Sequence, residues 1–349
     1  MPLAGYLVST HGTRFVLLSG AAIVVASSIW TVFASGPIEF LLSFGVALSI
    51  GLAFTSPVAL TPVISRWFTR QRGMALFFLS TGSMAGIALM TPTLTFAIGA
   101  VGWRETLLAF AALFALLTVP VALFVMRDQA PEHTDLLPHQ IVEKKSASRP
   151  AATGSEARVK DAVRTLPFWQ VALGLFACGF SMNLLGTHGM PMLMDHGFDA
   201  TTSALGIGLI GLVAIPSTMV LGRLADRVER KKLLAVIYLV RGLGFFALLL
   251  AGNRLELFGT SIVGGIVWAG SIALSSAILA DVYGVQKVGM LYGWAYLGHQ
   301  LGAMVSSWLG GWGYEHFGTH WLAFGLSGVL LLLAAAVALV LPARRTALP

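Results

Sequence analysis

Apolar residues fall in ten blocks along the chain, at 14–35, 39–65, 74–100, 105–126, 167–192, 202–221, 232–252, 256–281, 288–311 and 320–341. At 1.5 Å rise per residue, about 20 such residues cross the ~30 Å hydrocarbon core of a bilayer as one α-helix. A membrane β-barrel would instead alternate apolar and polar residues in ~10-residue segments. The pattern therefore predicts an all-α polytopic membrane protein. Residues 1–6 read as the last turn of an earlier helix. A polar stretch, 127–164, rich in charge, Pro, Ser and Ala, separates the fourth block from the fifth. That composition makes a linker or a loop lying on the surface. It divides the chain into an N-terminal bundle (1–126), a central loop (127–165) and a C-terminal bundle (166–349).

Composition narrows the class. Hydrophobic residues make up 56% of the 349 residues and charged ones only 11%, against about 25% charged in a soluble domain. There is too little charge to coat a soluble body. The net charge of +7 does not mark a nucleic-acid partner, because the basic residues sit in short loops between blocks. Of 22 Lys and Arg, 19 fall on one side, two (Arg104 and Arg254) on the other, and Arg241 lies within a block. The positive-inside rule then makes the central loop and the C-terminus cytoplasmic. Ten crossings is an even number, so the first residue is expected on that side too, in a protein of the cell membrane. The single Cys178 lies within a block, so no intrachain disulfide forms. No phosphate-binding G-x-x-x-x-G-K-[ST] occurs, which argues against ATP drive. With no H-E-x-x-H, acidic ligand cluster or intramembrane Ser/His/Asp set, no enzyme activity, cofactor or metal is expected.

The two halves repeat. RQRGMALFFLSTGSMAGIALM lies over VQKVGMLYGWAYLGHQLGAMV without a gap, so that Gly73, Met74, Gly82, Gly86 and Gly102 recur as Gly289, Met290, Gly298, Gly302 and Gly318. GYLVSTHGTR lies over GRLADRVERK, matching Gly5 and Leu7 to Gly222 and Leu224. Glycines four residues apart let helix backbones approach closely in lipid, where packing drives association. The repeat also measures an expected gap. Phe168 precedes Gly222 by 54 residues, whereas only 4 precede Gly5, a deficit of 54 − 4 = 50 residues. Six plus six helices would complete the pair. The ten blocks are then the third to twelfth of these, with the first helix and most of the second expected to be missing.

These motifs resemble those of the major facilitator superfamily. Gly222-Arg-Leu-Ala-Asp226-Arg227-Val-Glu-Arg230-Lys231-Lys232 looks like the superfamily's G-x-L-x-D-R-x-x-R-K loop. By that resemblance the loop is an interdomain latch. Gly222 would allow close helix contact, while Asp226, Arg227 and Arg230 pair or cap helix ends to hold a cytoplasmic gate shut. The first-half copy has Ser9 and Thr10 in place of Asp-Arg and keeps Gly5, Leu7, Gly12 and Arg14. A second group, Arg66-Trp67-Phe68-Thr-Arg70-Gln-Arg72-Gly73-Met-Ala75 with Gly102-Trp103-Arg104, resembles the monocarboxylate transporter and oxalate–formate antiporter branch. Gly311-Trp-Gly-Tyr-Glu315-His-Phe-Gly318 and Phe168-Trp169 agree with it. The resemblance covers essentially the whole chain. It implies a monomeric secondary transporter in which two bundles rock around a midplane site, moving a small organic anion with protons or by exchange. The alternatives are a transporter of another small molecule, such as drug efflux, and a non-transporting remnant opened sideways by the missing helix.

Ionisable groups inside a membrane are costly and default to functional candidates. His188 suits a coupling proton, since imidazole titrates near neutral pH, or it is an interfacial histidine bonded to a neighbouring helix. Asn183 and Thr187 share a face with Gly179, which either lines a cavity or packs as a seam. In the ninth block Tyr292, Tyr296 and either His299 or Gln300 share a face. Such donors in an apolar pocket suit a carboxylate, and core packing is the alternative. Arg241, about 13 Å into its block at 1.5 Å per residue, neutralises an anion or is held by a carbonyl. Asp281, at the end of the eighth block, reads as a gate or cap partner.

Overall fold

The structure, a computed structural model, describes residues 7, 8, 11–56, 60, 63, 67, 72–127, 161–225, 227–283 and 288–342, apart from the side chains of 72–78, 80 and 288–290. Within these, ten helical rods follow one another: α1 (Thr13–Phe33), α2 (Pro37–Phe54), α3 (Arg72–Val101), α4 (Trp103–Val125), α5 (Leu166–Asp195), α6 (Ala200–Ala225), α7 (Arg230–Leu250), α8 (Arg254–Tyr283), α9 (Val288–Phe317) and α10 (Trp321–Leu339). All but α9 are long and apolar enough, among the described residues, to cross a membrane. α9 has the length, at 30 residues, but carries Tyr292, Tyr296, His299 and Gln300 where its neighbours carry aliphatics.

The rods are not uniform. α2 widens to a π-helix over Leu41–Ala47, and α4 does so over Val121–Val125, directly after Pro120. A proline lacks the amide hydrogen that the α-helical ladder needs, so helices deform around it. α8 is broken between Ile266 and Gly270. The sequence there is Gly264-Gly265-Ile-Val-Trp268-Ala-Gly270, and glycine is the weakest helix former after proline. Gly102 and Gly318 hold φ of +94° and +65°, a region glycine enters without steric cost. These two glycines, paired by the repeat, end α3 and α9 in the same way.

The chain forms two compact units, one of residues Met1–Ser83 and Thr93–Pro150, the other of Met84–Pro92 and Ala151–Pro349. In the first, α1 packs on α2 and α4. In the second, α5 lies along α9 and α10, α7 along α10, and α6 against α8. Among the described residues the second unit holds the larger apolar core, built around Phe180, Leu184, Ile237, Leu279, Phe324 and Leu331.

Candidate functional site

The α5–α9 crossing decides where the polar candidates point. A Cβ on Gly179 would overlap the carbonyl of His299, and one on Gly302 would overlap that of Phe176. A Cβ on Gly298 would lie 2.6 Å from the Ala172 carbonyl oxygen. The absence of side chains brings the two backbones together, as small residues do in membrane helices. Asn183 donates through its amide nitrogen to the Ala303 carbonyl at 2.8 Å and the Ser307 hydroxyl at 2.6 Å. His188 Nε2 lies 3.0 Å from the Ser307 carbonyl, its ring against Gly310. Thr187 bonds back to the Asn183 carbonyl and is exposed. The face of α5 carrying Gly179, Asn183 and His188 is therefore seated on α9.

On α9 itself the rings form a ladder. Tyr292 and Tyr296 have centroids 5.5 Å apart, and Tyr296 stacks on the buried His299 at 4.6 Å and 8°. His299 Nδ1 faces the exposed Gln300 Oε1 at 3.2 Å. Of the two residues that competed for this face, His299 is the one in the ladder.

Arg241, on α7, is almost wholly buried. One of its terminal nitrogens donates to the carbonyls of Val267 (2.7 Å) and Trp268, the other to Cys178 Sγ at 3.3 Å. The guanidinium also lies over the Trp268 ring. The two carbonyls are those freed where α8 breaks, so the cation satisfies groups that no intrahelical donor reaches. Of the two sequence readings, this geometry is that of an arginine held by carbonyls. Cys178 and Ser271, whose Sγ and Oγ are 3.2 Å apart, complete the cluster. Sequence reasoning overlooked both, and overlooked the break, although three glycines in seven residues signalled it.

At one end of the second unit, Arg230 at the start of α7 pairs with Asp281 in the last turn of α8 at 2.7 Å. Lys231 donates to the Leu341 carbonyl just beyond α10 at 2.9 Å. In the first unit, Arg14 donates to Ala122 and Met126 carbonyls at 3.1 and 3.2 Å, at the end of α4. The repeat alignment places Arg14 opposite Lys231, and both cap the C-terminal carbonyls of a corresponding helix, where cations are favoured. Arg227 is exposed. No described atom lies within 4 Å of a Cβ built on Gly222. Gly5 and Asp226 lie outside the described residues.

The sequence profile described as Major Facilitator Superfamily matches residues 1–255 and 190–349. The chain belongs to that superfamily. Human monocarboxylate transporter 11 is 27% identical to it, with 98% of this chain and 71% of that protein aligned. The oxalate:formate antiporter of Oxalobacter formigenes is 23% identical over 97% of this chain and 77% of its own. A crystal structure of a D-xylose-proton symporter superposes with a TM-score of 0.70 at 17% identity, covering 98% of this chain and 84% of the other. The protein is thus an integral membrane protein with the major facilitator fold, related to transporters and not to enzymes.

Proposed function

We propose that the protein is a secondary active transporter for a small organic anion of the monocarboxylate class, working by alternating access with proton coupling or anion exchange. The observation that carries this reading is the alignment of nearly all of this chain with a monocarboxylate transporter and an oxalate:formate antiporter. The α9 face supports it. Tyr292 and Tyr296 offer hydroxyl donors in apolar surroundings, and His299 beside them offers an imidazole, the chemistry that binds a carboxylate. Arg241 is committed to the α8 break, so anion recognition falls to this face. His188 is the candidate carrier of the coupled proton. We assign the 222–232 loop and Asp281 to the gate in one half and Gly5 and Arg14 to it in the other, and the excess of Lys and Arg on that side supports a cytoplasmic position for both termini and the 127–165 loop.

Proteoliposomes test this directly. Uptake of labelled lactate, pyruvate, formate and oxalate is followed with and without an imposed pH gradient, and after preloading with unlabelled anion. Saturable anion uptake, accelerated by one of those two driving forces and unaffected by excess xylose, is expected. Folded, monodisperse protein that carries none of these anions under either force overturns the reading.

A further inference from the structure

A small cavity of about 20 Å³ lies in the second unit, separate from the α9 ladder, among Leu185 of α5, Ile210 of α6, Phe245 and Leu248 of α7, and Ser261 of α8. Arg241 and Trp268 also line it. Three buried polar atoms of these lining residues have no hydrogen-bond partner in the protein: Arg241 Nε, Ser261 Oγ and Trp268 Nε1. Arg241 and Ser261 are each 1% exposed and Trp268 5%. A space of this size holds one water-sized occupant.

The chemistry of the three atoms selects the occupant. Nε of arginine and Nε1 of tryptophan only donate, and a serine hydroxyl is free to do so. Whatever fills the space must therefore accept. The charge points the same way. Arg241 is buried among carbonyls, a thiol and an indole ring, and no carboxylate bonds to it among the described residues. A buried cation with no carboxylate partner is unfavourable unless a negative charge sits close to it. A water molecule would meet the donors and leave the charge, whereas a small anion meets both.

We propose that this cavity is a resident binding site for a single monatomic anion, chloride, held by Arg241 Nε, Ser261 Oγ and Trp268 Nε1. It lies beside the break in α8, so the bound ion neutralises the guanidinium that pins the Val267 and Trp268 carbonyls. The site is structural and distinct from the transported anion.

The test is thermal unfolding of the purified protein in detergent, with chloride titrated against gluconate at constant ionic strength and pH. Ligand binding only to the folded state raises the midpoint logarithmically above Kd, and a rise of about 5 °C is expected at a hundredfold excess. Bromide should substitute, and gluconate and sulfate are too large to enter. Ser261→Val fills the space and removes a donor without touching Arg241, so its midpoint should not respond to chloride. Cys178→Ala should keep the full response. A wild-type midpoint that ignores chloride assigns the cavity to water and overturns the proposal. So does a response that survives in Ser261→Val, which places the ion elsewhere, or one abolished by Cys178→Ala alone, which makes the thiol the seat of the effect. Transport need not be measured, so failure here is separable from failure of the carboxylate reading.

Discussion

Arg241 and His320 show how a single side chain answers to its surroundings more than to its type. The sequence marks Arg241 as a charge within a membrane block. Its partners lie 26 and 27 residues further on, in a stretch that reads as one continuous helix, so its use as the donor for a helix break is visible only in three dimensions. His320 precedes α10 and is buried with its ring stacked on Tyr314 at 4.5 Å. Burial holds its imidazole below the ordinary value, against the pull of the Asp195 carboxylate 3.2 Å away, with His188 and His196 adding to the depression. With the folded value depressed, the unfolded chain takes the proton first, near pH 6.5. Stability contributed here is full above that pH and falls as pH drops from it towards the folded value. The unfolding midpoint is therefore expected to decline as pH falls below about 6.5, and His320→Phe should flatten this part of the curve. Parallel curves for wild type and variant would remove His320 from the account.

At the level of whole helices, the repeat was legible in the sequence but its consequences were not shared equally. Gly82 and Gly86 align with Gly298 and Gly302 in sequence, and all four read as close-packing positions. Among the described residues only the second pair meets a neighbour: Gly298 and Gly302 lie on the backbone of α5, while a Cβ on Gly82 or Gly86 has no described atom within 4 Å. A glycine pattern records that a face is able to pack tightly, and the neighbouring helix decides whether it does. Gly302→Ala is accordingly expected to force α5 and α9 apart and to destabilise the protein by about 2 kcal/mol or more, the cost of overpacking a close helix contact. Gly86→Ala should be neutral, or stabilising by up to about 1 kcal/mol through helix propensity. Thermal melts of the two variants decide between this picture and one of equivalent halves, in which both substitutions would cost the same. The paired caps, Arg14 on α4 and Lys231 on α10, show the opposite case. There the two halves kept the same device although the surrounding loop sequences diverged.

For the molecule as a whole, the helices other than α9 and the superfamily fold were readable because a bilayer imposes length and apolarity on a crossing. The polar chemistry was less readable, because α5 and α9 sit 120 residues apart in sequence at the Asn183–Ala303 bond and nothing local announces that pairing. The Arg230–Asp281 pair lies between these extremes. Its residues were singled out separately, one from the loop motif and one as a helix-end carboxylate, and the structure joins them at 2.7 Å. Both side chains remain partly exposed, so the pair contributes at most about 1 kcal/mol to stability. In a transporter that alternates between states, the same small energy has a larger effect. A contact made in one state and broken in another shifts their ratio by about fivefold per kcal/mol. On the transport reading, Asp281→Asn should leave the unfolding midpoint within a few degrees of wild type and change anion exchange turnover several-fold. The double swap Arg230→Asp with Asp281→Arg restores the pair in reverse and should recover most of that turnover. Wild-type turnover in Asp281→Asn would show that the contact does not distinguish the states and would remove it from the gate.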